Sequence, residues 1–209
     1  MKRIDIKEIN EWSRLFRGNF VNCLSGYKPA SLIATANSDR KPNVAVFSNI
    51  VHIGADPAII AFINRPREAA PHTIANIEST GCYTINHIHP EIVQRAHQTS
   101  AKYDLGVDEF KAVGLTAEYK EGIYAPFVLE SKVKYAMELL EVIPIKHNNT
   151  FFVIGKLNEV WMEDGILLED GYLDLEKGNS MVSLGIDGYY ETKRHIRLPY
   201  AKVVDKETR

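Results

Sequence analysis

An antiparallel β-barrel decorated with helices is the architecture this sequence predicts, and three observations predict it. Four short runs, ASLIATA (30–36), NVAVFSNI (43–50), AIIAFIN (58–64) and CYTINHI (82–88), are apolar or alternating, as half-buried strands are. Turn chemistry separates the first three: Ser38-Asp39-Arg40-Lys41-Pro42, then Gly54-Ala55-Asp56-Pro57. Two longer alternating runs, 125–145 and 149–163, flank His147-Asn148-Asn149, which reads as a hairpin turn. Closing so many strands into a barrel removes the edges they would otherwise expose. The class is therefore mainly β with peripheral helices, and no repeat or linker divides residues 1–209 into more than one domain.

The elements follow in order. Ile6, Ile9, Trp12, Leu15 and Phe16 fall at helical spacing, predicting an N-terminal helix within residues 1–18 that packs on the domain. After the first three strands, Thr73 to Glu78 reads as a short helix with His72 or Thr73 at its cap and Ile74 and Ile77 facing inward. Further short helices are expected over Pro90–His97 and over Asp108–Val113, the latter stopped by Gly114. Strands resume with LTAEYKE (115–121) and the two long runs, 149–163 reading as a long strand-pair candidate. The closing block joins the glycine-bounded pair Tyr189-Tyr190 to an extended segment.

Composition limits the function. A formal charge of -2, with 25 basic and 27 acidic side chains interspersed, gives no broad positive field for nucleic acid or anionic lipid. No apolar stretch reaches membrane-spanning length and no signal-peptide core is visible, so the expectation is a soluble, cytoplasmic protein. Cys23 and Cys82 are far apart and form no CxxC pair; they read as free, buried thiols.

Any anion site must then be local, and residues 64–86, NRPREAAPHTIANIESTGCYTIN, offer a candidate. A strand delivers the chain to Arg65 and Arg67 just before a helix start. Helix N-termini present unpaired N–H groups and partial positive charge, and arginine adds a planar fork suited to phosphate oxygens. His72 and Thr73 stand beside the same helix start. The competing reading is that both arginines are solvated and Thr73 only caps its helix. Ser48 and Asn49 sit inside an otherwise apolar run, as Ser31 does one strand earlier, and buried polar groups require partners from backbone or ligand. A third cluster, RAHQTSAKYD (95–104), places Ser100 and Lys102 on a polar loop. Other chemistry has little support: His87 and His89 lack companions for a metal site, Ser25 has no nucleophile elbow, and no Walker or Rossmann glycine motif occurs.

The stretches KPASLIATANSDRKPNVAVFSNIVHIGADPAIIAF (28–62), RP with HTIANIESTGCYTIN, DEFKAVGLT (108–116), NNTFFVIGKLNEV (148–160) and YYETKRHIRLPYAK (189–202) together resemble the flavin reductase-like, FMN-binding split-barrel family, which includes flavoredoxin-type proteins. The resemblance spans about residues 19 to 202 in one order. It implies an antiparallel split β-barrel that forms a homodimer and binds one FMN per subunit near the dimer interface. Ser48 and Asn49 would then meet the flavin, while Arg65 and Thr73, aided by Arg67 or His72, would hold the phosphate. Ser31 is read with that polar set, and Ser100 and Lys102 as a loop able to close over the cofactor. Family members often carry Lys or Asp just before the Thr, where this chain has Pro71 and His72. The implied activity is an NAD(P)H:flavin oxidoreductase, with NADH or NADPH as co-substrate and a monooxygenase as a potential partner. The alternative is a flavoredoxin-like electron carrier with no pyridine-nucleotide site. In either case the flavin carries the electrons, and no side chain is assigned as catalytic.

Overall fold

The computed structural model describes residues 1–104 and 106–202. Two helices stand where the periodicity predicts one. The Asp5 side chain accepts from the Lys7 N–H and starts α1 (Ile6–Glu11); Ser13, accepting from the Phe16 N–H, then starts α2 (Arg14–Leu24). A capping serine in mid-run thus breaks the pattern into two helices. Neither buries a residue, and Leu15, Phe16 and Leu24 remain exposed; α2 lies against the body through Asn19 and Cys23 at Gly185 and through Asn22, which accepts from Lys28. Trp12 gathers Phe16 and Phe20 around it edge to face, at 4.8 and 5.0 Å between centroids.

The strands are β1 (Lys28–Pro29), β2 (Ser31–Ala36), β3 (Pro42–Phe47), β4 (Ile50–Ala55) and β5 (Ala58–Asn64). After them come α3 (Pro71–Thr80), β6 (Cys82–His87), α4 (Val93–Gln98) and α5 (Glu109–Val113). The chain finishes with β7 (Ala117–Glu118), β8 (Phe127–Val128), β9 (Val133–Ile145), β10 (Thr150–Met162), β11 (Val182–Leu184) and β12 (Gly188–Tyr190). Asp108 caps α5 by accepting from the Lys111 N–H, and Gly114 ends it in the left-handed conformation, as the sequence predicts. The run 149–163 is one strand, not a pair, and it returns along β9 through a turn in which Asn149 has φ 58°.

Seven strands form one antiparallel sheet in the order β3-β2-β6-β9-β10-β5-β4. Its two edge strands, β3 and β4, are consecutive in the chain and joined only by Ser48 and Asn49. Two residues cannot cross a flat seven-stranded sheet, so the sheet curls until its edges meet, and no ladder joins β3 to β4. The result is an antiparallel barrel split along one seam, in line with the predicted class.

Strand alternation sends side chains to two cores. Inside the barrel lie Ile33, Phe62, Tyr83, Ile85, Met137 and Val153, and α3 plugs this interior with Ile74 and Ile77. Leu32, Ala34 and Val44 point to the other face, where Ile92 and Ala96 with Phe110 and Val113 of α5 cover them. β2 is consequently buried along its whole length.

Tyr83 shows how tight the interior is. Its hydroxyl is fully buried without a hydrogen-bond partner among the described residues, and it sits where a side chain at Gly155 would lie. Gly155 flanks an irregularity in the β9–β10 register, which brings its backbone up to the ring. An unsatisfied buried hydroxyl costs about 1–3 kcal/mol, so Tyr83→Phe is expected to leave stability unchanged or raise it by roughly 1 kcal/mol. Urea denaturation at neutral pH checks this; a loss above 1 kcal/mol would mean that the hydroxyl has a partner.

Candidate functional site

The seam brings separate pieces of sequence together. β4 pairs with β5 from Ile50 opposite Phe62, so the Ser48-Asn49 link enters β4 at a pair two residues short of the end of β5 at Asn64. β2 pairs with β3 from Ser31 opposite Phe47, which places buried Ser31 next to Ser48. Ser31 thus lies on the strand paired with the one that leads into the Ser48-Asn49 link, and Arg65 follows the strand paired with the one that leads out of it. Ser48 and Asn49 are not strand residues, as the run 43–50 predicts; they are the link between two strands, Ser48 half-buried and Asn49 exposed. Their polar groups interrupt no ladder, which removes the cost the sequence alone implies.

From β5 the chain enters a six-residue loop, 65–70. The N–H groups of Ala69 and Ala70 donate to the Pro66 carbonyl at 2.9 and 3.0 Å and fold the loop back on itself. Helix α3 then begins at Pro71, earlier than expected, and its N-cap is Ala70, not His72 or Thr73. Proline suits the first helical position because its missing N–H has no intrahelical role there. Alanine offers no side-chain acceptor, so no side chain caps α3, and the N–H groups of His72 and Thr73 meet the positive end of the helix dipole without one.

The two arginines part company. Arg67 is engaged: its guanidinium forms a two-pronged ion pair with Glu78, Nη1 to Oε2 at 2.8 Å, and lies over the Phe151 ring at 4.8 Å. The Glu78 carboxylate pushes the Arg67 pKa up further. Arg65 is exposed and has no side-chain hydrogen bond or ion pair among the described residues. It is thus the arginine of the pair open to a ligand.

Beneath the first turn of α3 lies a polar cluster that spans three elements. Thr73 is buried, with Oγ1 3.4 Å from the Asn43 amide of β3. That amide, oriented so that both ends find partners, donates to Glu109 Oε1 at 3.2 Å and accepts from the Val44 N–H at 3.2 Å. His72 Nδ1 is 3.7 Å from the same carboxylate oxygen. Glu109 is buried at the start of α5, and its Oε2 has no partner among the described residues. Burial pushes its carboxyl up to about 7, against the pull of the Val44 N–H. Thr73 and His72 are thereby held from below.

Ser100 and Lys102 stand apart. Both are exposed on the loop after α4, and neither has a side-chain hydrogen bond to the seam residues. Tyr103, next in the chain, packs against the outer core. His87 and His89 have partners of their own, Ser180 Oγ at 2.9 Å and the Glu130 carbonyl at 2.8 Å, and burial pushes the His87 pKa down to about 4. Cys23 and Cys82 are free and half-buried. Three residues of this region escape a reading by sequence: Asn43, Asn64 and Glu109. Asn64 leaves one trace, an amide closing an otherwise apolar strand; the other two look like ordinary surface residues.

Comparison with known proteins places this geometry among others. The flavin reductase like domain model matches residues 26–177. A candidate flavin reductase with a split barrel domain from Shewanella frigidimarina is 40% identical, with a TM-score of 0.93 over 96% of this chain and 100% of that one. Flavoredoxin of Desulfovibrio vulgaris superposes with a TM-score of 0.74 at 22% identity, over 84% of this chain and 92% of that one. Nitrilotriacetate monooxygenase component B from Bacillus cereus gives 0.82 at 18% identity, over 95% and 98%. The last two share the fold at a level of identity that speaks for architecture alone.

Proposed function

The chain belongs to the flavin reductase like domain family, and from that premise we propose that it binds FMN at the seam and passes hydride from NADH or NADPH to it. What supports the reading is the N-terminus of α3, which has no side-chain cap, together with Arg65 at the start of the six-residue loop that leads to it, an arginine whose side chain has no partner among the described residues. An N-terminus without a side-chain acceptor fits a phosphate, whose oxygens would supply what Ala70 cannot. Arg65 would close on the phosphate from solvent, and the N–H groups of His72 and Thr73 would meet it from the helix. Ser48 and Asn49 would face the ring with Ser31 behind them. Arg67 keeps its place in holding the loop to α3 through Glu78.

The flavin, when bound, supplies the electron chemistry, accepting hydride from the nicotinamide. The chain's own residues orient and hold: the arginine and helix end fix the phosphate, and the seam fixes the ring. No side chain is needed as a general acid or base. A second copy of this chain is the proposed partner, since α1 and α2 and the extended segment with Ile196, Leu198 and Tyr200 leave large apolar side chains exposed. A monomeric mass in solution would exclude it. A monooxygenase that takes up the reduced flavin is proposed as a further partner.

The test is the visible spectrum of the protein with FMN, followed by anaerobic addition of NADH or NADPH. Bleaching of the flavin bands at catalytic rates is the expected result. Bands that persist with both nucleotides would sink the reductase reading in favour of an electron carrier reduced by another protein. A spectrum identical to free FMN would remove the flavin site from the seam.

A further inference from the structure

Asn64, the last residue of β5, is fully buried and shares the barrel-facing side of its strand with Ile60 and Phe62. Its amide nitrogen donates to the Arg65 carbonyl at 2.8 Å and to the Ala70 carbonyl at 3.4 Å. These two carbonyls stand at the first and last residues of the 65–70 loop, so one NH2 group ties the two ends of that loop together. Ala70 is also the N-cap of α3, and Arg65 is the unpaired arginine. The amide oxygen of Asn64 has no partner among the described residues, so the side chain's hydrogen bonding is directed wholly at the loop. In a buried setting an amide is kept where at least one end is well satisfied, because an apolar residue would otherwise serve the core better. Here the satisfied end makes the backbone bridge.

We infer that Asn64 is a positioning residue: its amide clamps the 65–70 loop so that Arg65 and the first turn of α3 converge on one anion, which sets preference for a phosphorylated over an unphosphorylated flavin. The inference rests on the reading of the site given above. Arg65 is an exposed side chain on a loop, and such a side chain contributes to affinity only if the backbone beneath it is fixed, because disorder there would have to be frozen on binding. The Pro66-centred turn fixes the middle of the loop; among the described residues only the Asn64 amide joins its two ends by side-chain hydrogen bonds.

Two variants and two measurements test it. Asn64→Ala removes both donors, and Asn64→Thr keeps a strand-forming polar residue too short to span both carbonyls, covering the case in which the alanine variant does not fold. In the absence of ligand, native-state trypsin digestion should cut the Arg67–Glu68 bond at least tenfold faster in the variants than in the wild type, with other sites unchanged. Proline protects the Arg65–Pro66 bond, so the reporter is a single bond. In fluorescence titrations the ratio of FMN to riboflavin affinity should fall at least tenfold, with riboflavin affinity moving less than threefold. A packing role alone would lower thermal stability or weaken both ligands together. A folded variant that keeps the wild-type ratio and the wild-type cleavage rate overturns the clamp. Should the wild type itself bind FMN no better than riboflavin, the phosphate reading of the seam fails; unchanged cleavage would then overturn the clamp as well, and faster cleavage would keep Asn64 as the residue that positions the loop.

Discussion

Replacing Arg65 with alanine is expected to weaken FMN binding by about 1.5–3 kcal/mol, the range for a hydrogen bond to a charged group. That is on the order of ten- to a hundredfold in Kd. The effect should be large because Arg65 is the arginine of the pair without a partner among the described residues: Arg67 is paired with Glu78 and stacked on Phe151, and the net charge of -2 provides no general attraction for an anion. Riboflavin, which lacks the phosphate, should bind the variant and the wild type alike. Arg65 is exposed, so the difference should shrink as salt is raised through the range where the Debye length falls below about 10 Å. Paired titrations of both flavins at low and high salt measure all of this at once. Equal losses for FMN and riboflavin would place Arg65 in the scaffold and move the phosphate elsewhere.

Stability should fall as pH rises, through Glu109. Burial holds its carboxyl near 7, above its ordinary value of 4.5, so the folded protein keeps a proton that the unfolded chain has released. A raised pKa in the folded state contributes stability that is complete below about pH 4.5 and is lost as pH rises through 7. Between pH 5 and 8 the loss from this one group is on the order of 2–3 kcal/mol. Glu109→Gln is permanently neutral and keeps an oxygen for the Val44 N–H and a donor for the cluster, so the variant should gain on the wild type by that amount across the same interval. Urea midpoints of both proteins at pH 5 and pH 8 give the answer. A gap that does not change with pH would mean that ionised Glu109 is compensated in place.

These two residues also divide what could be read from the chain alone. Arg65 was legible because everything that makes it a candidate lies within ten residues: a strand end, an arginine, a proline and a helix start. Glu109 was not. What buries it comes from β3 and α3, far off in sequence, and an acidic residue in the first turn of a short helix carries no mark of burial by itself. The same distinction explains the strands. AIIAFIN and CYTINHI matched β5 and β6 almost residue for residue because local alternation and flanking turns settle them. NVAVFSNI concealed the break at Ser48 and Asn49, since the chain leaves one sheet edge for the other there, and that is a fact of sheet topology which no local pattern records. The helix start at Pro71 is hidden for a related reason: polar His72 and Thr73 have the chemistry of caps, whereas the alanine before Pro71 gives no signal.

The two-residue link between β3 and β4 also acts as a ruler. Phe47 and Ile50 can stand no more than about 11 Å apart across it, so the width of the opening at that corner is set by covalent geometry and not by side-chain packing. Lengthening the link by one or two residues would widen the mouth of the barrel without disturbing any paired register, because no ladder crosses that seam. A protein built this way can change the size of the guest it admits by loop length alone, while its interior stays as it is.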